Sequence, residues 1–412
     1  MSISNLRASK TYFYQTGFDI CFAMFCFVLF ACFFPTGFVS SFAVLSTGFA
    51  LPLALKRWSS TRLLPFEWVG LFLFMWLAIS LFWSSGSFTE LAGYLLEYRF
   101  YFLLPVFASA INGESTLKYA VPACVVGCIL ALLGSYGLSL GIIDIDDGGV
   151  SFGNRIFHGF VMSLLLAAAL VGLKFKSSSV RVASIVGSIL VVYNVINVET
   201  GRTGYLQIFA LIIAFIVLNM SFRKAVSCLA ISVVVLIAGF YSLETFHGRV
   251  VQSAIALSQA LSGENLASSI GYRFEFYKAG MQIAEKNLWF GLGVGDVGPT
   301  LLNYFEMGLM PVKTDNIHGE FLNMQLAGGI IAAGLFTGFL SCLFIKGIEL
   351  RDQQKILSSL FIYVGIIFSI SALFNSTIKD FGEKHALLAV LSMLAGWTRC
   401  LCVKNKSSED EC

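Results

Sequence analysis

The chain has 412 residues, of which 57% are hydrophobic and only 12% are charged. Ordinary soluble domains carry about a quarter charged residues, so the composition excludes a soluble globular protein. The net charge of +3 is small, and in a membrane protein the placement of Lys and Arg is more informative than their sum.

Apolar runs of seventeen or more residues follow one another along the chain and predict spanning helices, because a typical strand has only ~5–6 residues. The first run, Phe18 to Phe34, has no small-residue cleavage site after it and is interpreted as an uncleaved first span. We therefore predict an all-α integral membrane protein with about twelve transmembrane helices. The predicted spans are 18–34, 37–55, 66–83, 91–111, 117–140, 156–173, 180–197, 204–220, 224–241, 320–344, 355–374 and 384–400.

The distribution of charge predicts the orientation of these helices. Twelve spans place both termini on one side, and the loops of that side hold seventeen of the 27 basic residues. Most acidic residues, among them Asp144, Asp146 and Asp147, lie on the opposite side. Since short cytoplasmic loops are enriched in Lys and Arg, we expect both termini to be cytoplasmic.

The spacing of the spans predicts four segments. Residues 1–241 hold helices 1 to 9, residues 242–318 form a long outer loop, residues 319–403 hold helices 10 to 12, and residues 404–412 form a cytoplasmic tail. Within the loop, apolar residues alternate with polar ones at helical spacing in Arg249 to Leu261 and in Tyr272 to Lys286, which predicts short amphipathic helices.

Metal and nucleotide chemistry are not expected from the sequence. None of the ten cysteines lies in the long loop and no C-x-x-C pair occurs, so neither disulfides nor a thiolate metal site are predicted. The loop does contain three glycines between Phe290 and Asp296. Gly293 lies among them and permits a tight turn or close approach to a ligand, but no P-loop or dinucleotide motif surrounds it.

Arg99 is the most deeply placed charge in the predicted helices. It follows Leu91 by eight residues, which in a continuous helix places it ~12 Å below the outer end. Glu97 points to another side of that helix, so Arg99 needs a partner on another helix or an anionic ligand. A structural ion pair explains it equally well.

Three further arginines, Arg155, Arg202 and Arg273, fall at the same outer face. Guanidinium groups bind phosphate in a bidentate manner and stay charged, so their convergence favours a phosphate or pyrophosphate ligand. Separate solvated side chains are the alternative. Asn154 and His158 flank Arg155 and join the candidate substrate-binding residues, with Arg99, Arg155 and Gly293.

His318 is the best candidate for proton transfer. It lies at the end of the long loop, and an unperturbed imidazole titrates near pH ~6.5, so it can accept a proton at neutral pH. Asp315 or Glu320 would orient the ring. A histidine that only caps the following helix is an equally simple interpretation.

These segments resemble the superfamily of O-antigen ligases and polymerases of the bacterial envelope. Thr200-Gly-Arg-Thr-Gly204 is similar to the family's Ser/Gly-Arg-Thr corner. Arg273 followed by Met281 to Gly295 resembles its Arg-x(n)-Pro-hydrophobic-Gly-x-Gly block, and Asn316 to Leu322 resembles its histidine motif. The sequence departs from the family at Asn287-Leu288 in place of Pro, at Gly319 in place of Asn and at Ala327 in place of Glu.

The resemblance implies a metal-independent inner-membrane glycosyltransferase without cofactor, nucleotide or nucleic acid, with a periplasmic active site. Its donor would be polysaccharide on undecaprenyl pyrophosphate and its acceptor the lipid A-core oligosaccharide. Arg202, Arg273 and His318 match the family's essential residues, the arginines stabilising pyrophosphate and His318 acting as general base. An O-antigen ligase is expected first and a polymerase second, while a secondary transporter or flippase is the alternative from another class.

Overall fold

The computed structural model describes residues 3–59, 61–111, 113–143, 154–198, 201–263 and 268–409; Asp144, Asp146, Asp147 and Thr200, discussed above, lie outside them. Within these ranges the chain forms α-helices and no β-strand, which confirms the all-α class. The helices are α1 Ile3–Phe30, α2 Thr36–Arg57, α3 Pro65–Ile79, α4 Phe88–Glu97, α5 Phe100–Ala110, α6 Gly113–Ser139, α7 Arg155–Gly172, α8 Ser178–Tyr193, α9 Arg202–Asn219, α10 Phe222–Ser242, α11 Glu244–Ser262, α12 Ser269–Lys286, α13 Val297–Glu306, α14 Glu320–Glu349, α15 Lys355–Phe374 and α16 Phe381–Glu409.

Ten of the described helical segments are long and apolar enough to cross a membrane, which confirms a multi-pass helical membrane protein. They correspond to ten of the twelve predicted spans: Thr11–Phe30, Thr36–Arg57, Pro65–Trp83, Ser115–Ser139, Arg155–Gly172, Ser178–Val198, Arg202–Asn219, Phe222–Ser242, Glu320–Glu349 and Lys355–Phe374. Of the other two predicted spans, residues 384–400 lie within α16, and residues 91–111 are divided between α4 and α5.

The prediction of one continuous helix over residues 91–111 is wrong. The chain leaves the helix at Tyr98, and Arg99 begins α5 as its N-cap residue. Arg99 Nη1 donates to the carbonyl oxygen of Leu96 at 2.9 Å. Carbonyl groups at a helix C-terminus lack partners in the helix and favour a nearby cation, so the guanidinium stabilises the break. The depth of ~12 Å derived for Arg99 in a continuous helix therefore does not apply.

The spanning helices differ in how much of their surface the protein covers. In α7 and α15, 67% of the most apolar stretch is buried, whereas in α10 only 6% is buried. Helices α7 and α15 consequently lie at the centre of the bundle and α10 lies at its periphery. Phe336 on α14 and Phe368 on α15 form an edge-to-face pair with ring centroids 5.8 Å apart within this apolar core.

Helix α14 is interrupted inside the bundle, where Gly329 has a φ of 69°. The segment before α13 docks into this interruption through its backbone. Leu292 N–H donates to the carbonyl of Leu326 at 2.7 Å, and Ile330 N–H donates to the carbonyl of Leu288 at 2.9 Å. Backbone groups at membrane depth must be paired within the protein, so this segment satisfies the groups that the interruption frees.

The described part of residues 242–318 forms three helices, α11, α12 and α13, and both predicted amphipathic segments fall within helices. Helix α12 packs against α11 on one side and α14 on the other. Its buried residues include Phe276 and Ile283, while Lys278 on the opposite face is exposed. The segment is thus anchored onto the transmembrane bundle and places α12 beside the ends of the spanning helices.

Candidate active site

Four arginines surround one cavity of about 210 Å³, here called the arginine cavity. They come from the first residue of α7 (Arg155), the first residue of α9 (Arg202), α11 (Arg249) and α12 (Arg273). The remaining lining residues are Ile156, Gly201, Thr203, Gly204 and Ser269. Two spanning helices and two helices of the long loop therefore contribute one arginine each to the lining of the same space.

The corner before α9 positions Arg202 at the cavity. Helix α8 continues into a π-helical turn, Asn194–Val198, and α9 begins at Arg202 with Gly201 as its N-cap. A Cβ atom on Gly201 would lie 3.4 Å from the carbonyl oxygen of Arg155, and one on Gly204 would lie 3.4 Å from Cα of Gly159. Small residues let the backbones of α7 and α9 approach closely, which brings Arg155 and Arg202 to one cavity.

The charges around the cavity repel one another. Arg202 lies within the electric field of both Arg249 and Arg273. Burial lowers the pKa of the Arg273 guanidinium, and Tyr277, Asp380 and Glu383 oppose that shift. Arg273 Nη2 also donates to Oδ1 of Asn375 at 3.3 Å. Like charges around one cavity are destabilising unless an anion lies between them, so the cavity suits a multiply charged anion.

The backbone of His318 has a φ of 56°, the left-handed region that a side chain disfavours. Its N–H donates to Oδ1 of Asn316 at 3.1 Å, and its carbonyl oxygen accepts from the Tyr277 hydroxyl at 3.1 Å. Asn316 Oδ1 in turn accepts from Nδ2 of Asn323 at 3.0 Å and from the Ser376 hydroxyl. The strained conformation is thus held by contacts with α12, α14 and the segment after α15, a pattern common at functional sites.

The half-buried imidazole of His318 lies beside the arginine cavity. Burial lowers its pKa, Arg273 lowers it further, and Asp315 acts in the opposite direction. Asp315 and Glu320 were the two residues predicted to orient the imidazole. Asp315 interacts with it electrostatically. Glu320 is fully buried and accepts a hydrogen bond from the Ile378 N–H at 3.0 Å, so its carboxylate holds the segment after α15.

A second cavity, of about 250 Å³, adjoins the first, and Ile156 lines both. We call it the acidic cavity because Asp380 and Glu383 line it. Asn154 also belongs to its polar lining. Asn154 is the N-cap residue of α7, and its side chain accepts from the Ile156 N–H at 2.9 Å. Burial raises the pKa of Asp380, while Lys384, Arg273 and Lys379 oppose that shift. Asn154 is therefore placed beside the arginine cavity rather than in its lining.

The structure places His158, another predicted substrate-binding residue, inside the helix bundle. Its side chain is 2% exposed, and Nε2 lies 3.0 Å from Oδ1 of Asn194, whose Nδ2 donates to the Ser135 hydroxyl at 2.9 Å. A buried polar group must be paired, and this network satisfies it. His158 thus supports the π-helical turn before Arg202 instead of lining the cavity.

Gly293 and Arg99 also lie apart from the arginine cavity's lining. A Cβ atom on Gly293, which has a φ of 94°, would lie 3.0 Å from the carbonyl of Ser80, so this glycine allows the segment to pack against the end of α3. Arg99 interacts with Glu97 and with Lys384 at the start of α16. Glu97 itself forms an ion pair with Lys379 at 3.5 Å.

Five residues were not predicted from the sequence: Arg249, Asp380 and Glu383, which line the two cavities, and Tyr277 and Asn375, which bond to His318 and Arg273. Arg249 had a usable signal, because it is a fourth arginine on the outer side of the predicted topology. Asp380 and Glu383 also had a usable signal, because the polar segment between the last two predicted spans lies on that same side. Tyr277 and Asn375 gave no signal, because their contacts join residues far apart in the chain.

Comparison with known families adds one finding to this geometry. Residues 186–337 match a family model described as O-Antigen ligase. The matched region contains Arg202, Arg249, Arg273 and His318. No curated protein matches the chain significantly.

Proposed function

Because the chain is a member of the superfamily of O-antigen ligases and polymerases, we propose that it transfers preassembled O-antigen polysaccharide from undecaprenyl pyrophosphate to the lipid A-core oligosaccharide. The observation that carries this proposal is the convergence of four arginines on one cavity beside His318. Pyrophosphate is both the most highly charged part of such a donor and its leaving group, so one cluster of guanidinium groups serves binding and catalysis.

The arginines act on the charge that develops as the glycosidic bond breaks. Arg202 and Arg273 contact the pyrophosphate oxygens, and Arg155 and Arg249 complete the surrounding positive charge. Their stabilisation increases towards the transition state, because negative charge accumulates on the leaving oxygen. This arrangement supplies the charge neutralisation that a divalent cation would otherwise supply, so we expect transfer without a metal.

His318 serves as general base in this mechanism. Its neutral imidazole accepts the proton of the acceptor hydroxyl while the hydroxyl oxygen attacks the anomeric carbon of the donor, and undecaprenyl pyrophosphate leaves. One direct displacement inverts the configuration at that carbon. The charge interaction between Arg273 and His318 supports the proposal, because base and leaving-group binder must flank a single reacting carbon.

We further propose that these groups face the periplasm, with residues 242–318 outside the inner membrane and both termini in the cytoplasm. The bias of Lys and Arg towards the loops on the side of the termini supports this orientation. The starts of α7 and α9 and the end of the long loop all lie at the opposite end of the predicted spans. A lipid-linked donor flipped to the outer leaflet would present its pyrophosphate there.

The pH dependence of transfer is expected to reflect the lowered pKa of His318. Since burial and Arg273 both lower it, the imidazole stays neutral below its ordinary range, and kcat/KM should begin to fall only below pH ~6.5. Arg273→Gln removes one cause, so the pKa rises and the acidic limb of the profile shifts to higher pH. The exposed Lys278 on the same helix gives the control, Lys278→Gln, which should leave the limb in place. An unchanged limb in Arg273→Gln would argue against His318 as the titrating base.

A polymerase and a transporter remain the rival functions, and the products made in cells separate them. A bacterium that lacks this chain should make lipopolysaccharide without O-antigen and accumulate lipid-linked polysaccharide, and the wild-type gene should restore capping. If the mutant lipopolysaccharide still carried single repeat units on its core but no long chains, the chain would be a polymerase. Retention of lipid-linked glycan in the inner leaflet would indicate a flippase. The position of the arginines argues against this function, because transporters favour binding groups near the membrane midplane rather than at one end.

A further inference from the structure

The acidic cavity differs in chemistry from the arginine cavity that it adjoins. Its polar lining includes Asp380 and Glu383, and the rest is largely apolar, including Phe34, Phe157 and Phe381. The nearby cations Lys379 and Lys384 are engaged elsewhere, with the Glu97 carboxylate at 3.5 Å and the Glu97 carbonyl oxygen at 3.4 Å. Among the described residues, the lining includes none of the basic side chains that a pyrophosphate needs.

Glu383 shows that the cavity has unused hydrogen-bonding capacity. The residue is 1% exposed, and its Oε1 accepts a long hydrogen bond, 3.4 Å, from Nδ2 of Asn375. Oε2 is buried without a hydrogen-bond partner among the described residues. Leaving a buried carboxyl oxygen unpaired costs free energy, and such a group in a cavity lining indicates a ligand that donates a hydrogen bond.

Carboxyl oxygens and aromatic rings together recognise one class of ligand well. Sugar hydroxyls donate to the oxygens, and the apolar C–H face of the sugar ring packs on an aromatic surface. An anion is disfavoured because the described lining residues include no basic side chain, and a purely apolar ligand would leave the carboxyl groups unpaired. We propose that the acidic cavity binds a neutral sugar of the glycan acceptor, with Glu383 and Asp380 accepting from its hydroxyls and Phe34 packing against its ring.

This inference rests on the proposed function. It assigns the anionic pyrophosphate of the donor to the arginine cavity and a neutral sugar of the acceptor to the acidic cavity. Ile156 lines both cavities, and Arg273 lies within the field of Asp380 and Glu383, so the two ligands would meet at this boundary. The acidic cavity also reaches the ends of α1 and α2 through Leu29 and Val39. An acceptor anchored in the outer leaflet can therefore approach past the ends of these helices while the donor's pyrophosphate occupies the arginine cavity.

Binding of a phosphate-free core oligosaccharide to the purified full-length protein tests the inference without requiring transfer. Glu383→Gln keeps the shape but weakens the acceptor oxygen, and Phe34→Ala removes the packing surface at a partly exposed position that threatens folding least. We expect Glu383→Gln to raise the oligosaccharide Kd roughly tenfold and Phe34→Ala several-fold, with Glu383→Asp intermediate. The exposed residues Glu306 and Phe82, which lie outside the cavity lining, provide the matched controls Glu306→Gln and Phe82→Ala.

Transfer kinetics separate the subsite from the proposed function. With donor saturating, the acceptor KM should rise in Glu383→Gln and Phe34→Ala, while the donor KM stays within about twofold of wild type. Wild-type-like oligosaccharide Kd values in both variants, or a rise confined to the donor KM, overturn the subsite. If the wild-type protein binds the oligosaccharide through Glu383 and Phe34 but transfers nothing, the subsite stands and the proposed function fails.

Discussion

Replacing His318 with alanine is expected to lower kcat for glycan transfer by about 10²–10⁴-fold, because the acceptor hydroxyl loses its general base. Donor binding should change little, since the arginine cavity is lined by other residues. Transfer of lipid-linked glycan and equilibrium binding of the donor, measured on the same purified variant, check both parts of this expectation.

The strained backbone at His318 requires a second variant and a control. His318→Asn keeps a residue that tolerates the left-handed conformation, so its loss of activity would report on the imidazole and not on the backbone. His247 on α11 is exposed and packs against Phe240, and His247→Ala should transfer at the wild-type rate. Normal O-antigen capping in cells that carry only His318→Ala would reject the assignment of the base.

Replacing Arg273 with alanine is expected to damage donor binding and the chemical step together. Its guanidinium lies at the cavity and within the field of Asp380 and Glu383, so it links the two substrates' sites. Removal of one preorganised donor to a developing negative charge typically costs 10²–10³-fold in rate. We expect a fall of about that size in kcat/KM for the donor, together with a weaker donor Kd.

Lysine at position 273 tests whether charge alone suffices. A single ammonium group lacks the planar fork of arginine, so Arg273→Lys should restore donor binding better than it restores kcat. Lys278→Ala, an exposed change on the same helix, serves as the control for α12. If Arg273→Ala lost stability but kept full donor affinity, the residue would be a structural link to Asn375 rather than a pyrophosphate ligand.

The helical class and most spans followed from the sequence because hydropathy measures the cost of placing each segment in lipid. The helix break at Arg99 could not be predicted, because the apolar residues on both sides of it form one continuous hydrophobic segment in the sequence. A local hydrogen bond from the guanidinium to the Leu96 carbonyl stabilises two short helices instead. Hydropathy averaged over a window does not register such a bond, so the depth of ~12 Å was derived from a continuous helix that the structure does not contain.

Part of the candidate site could be predicted from the topology of the spans. Arg155, Arg202 and Arg273 were grouped because topology places them on one face, and the structure brings all three to one cavity. The positions of His158 and Gly293 depend on partners distant in sequence, Asn194 for the histidine and Ser80 for the glycine. Periodicity and charge carry no information about such pairings, so residue type alone suggested roles in ligand binding.

Transfer of a lipid-linked glycan to a glycan acceptor at the arginine cavity can be measured directly. The direct measurement supplies purified protein with polysaccharide on undecaprenyl pyrophosphate, lipid A-core and a metal chelator, and analyses the products by mass. The proposed transfer predicts glycan linked to the lipid A-core with release of undecaprenyl pyrophosphate, and the chelator should not diminish the yield. A lengthened lipid-linked glycan with unmodified core, or no covalent product at all, would contradict it.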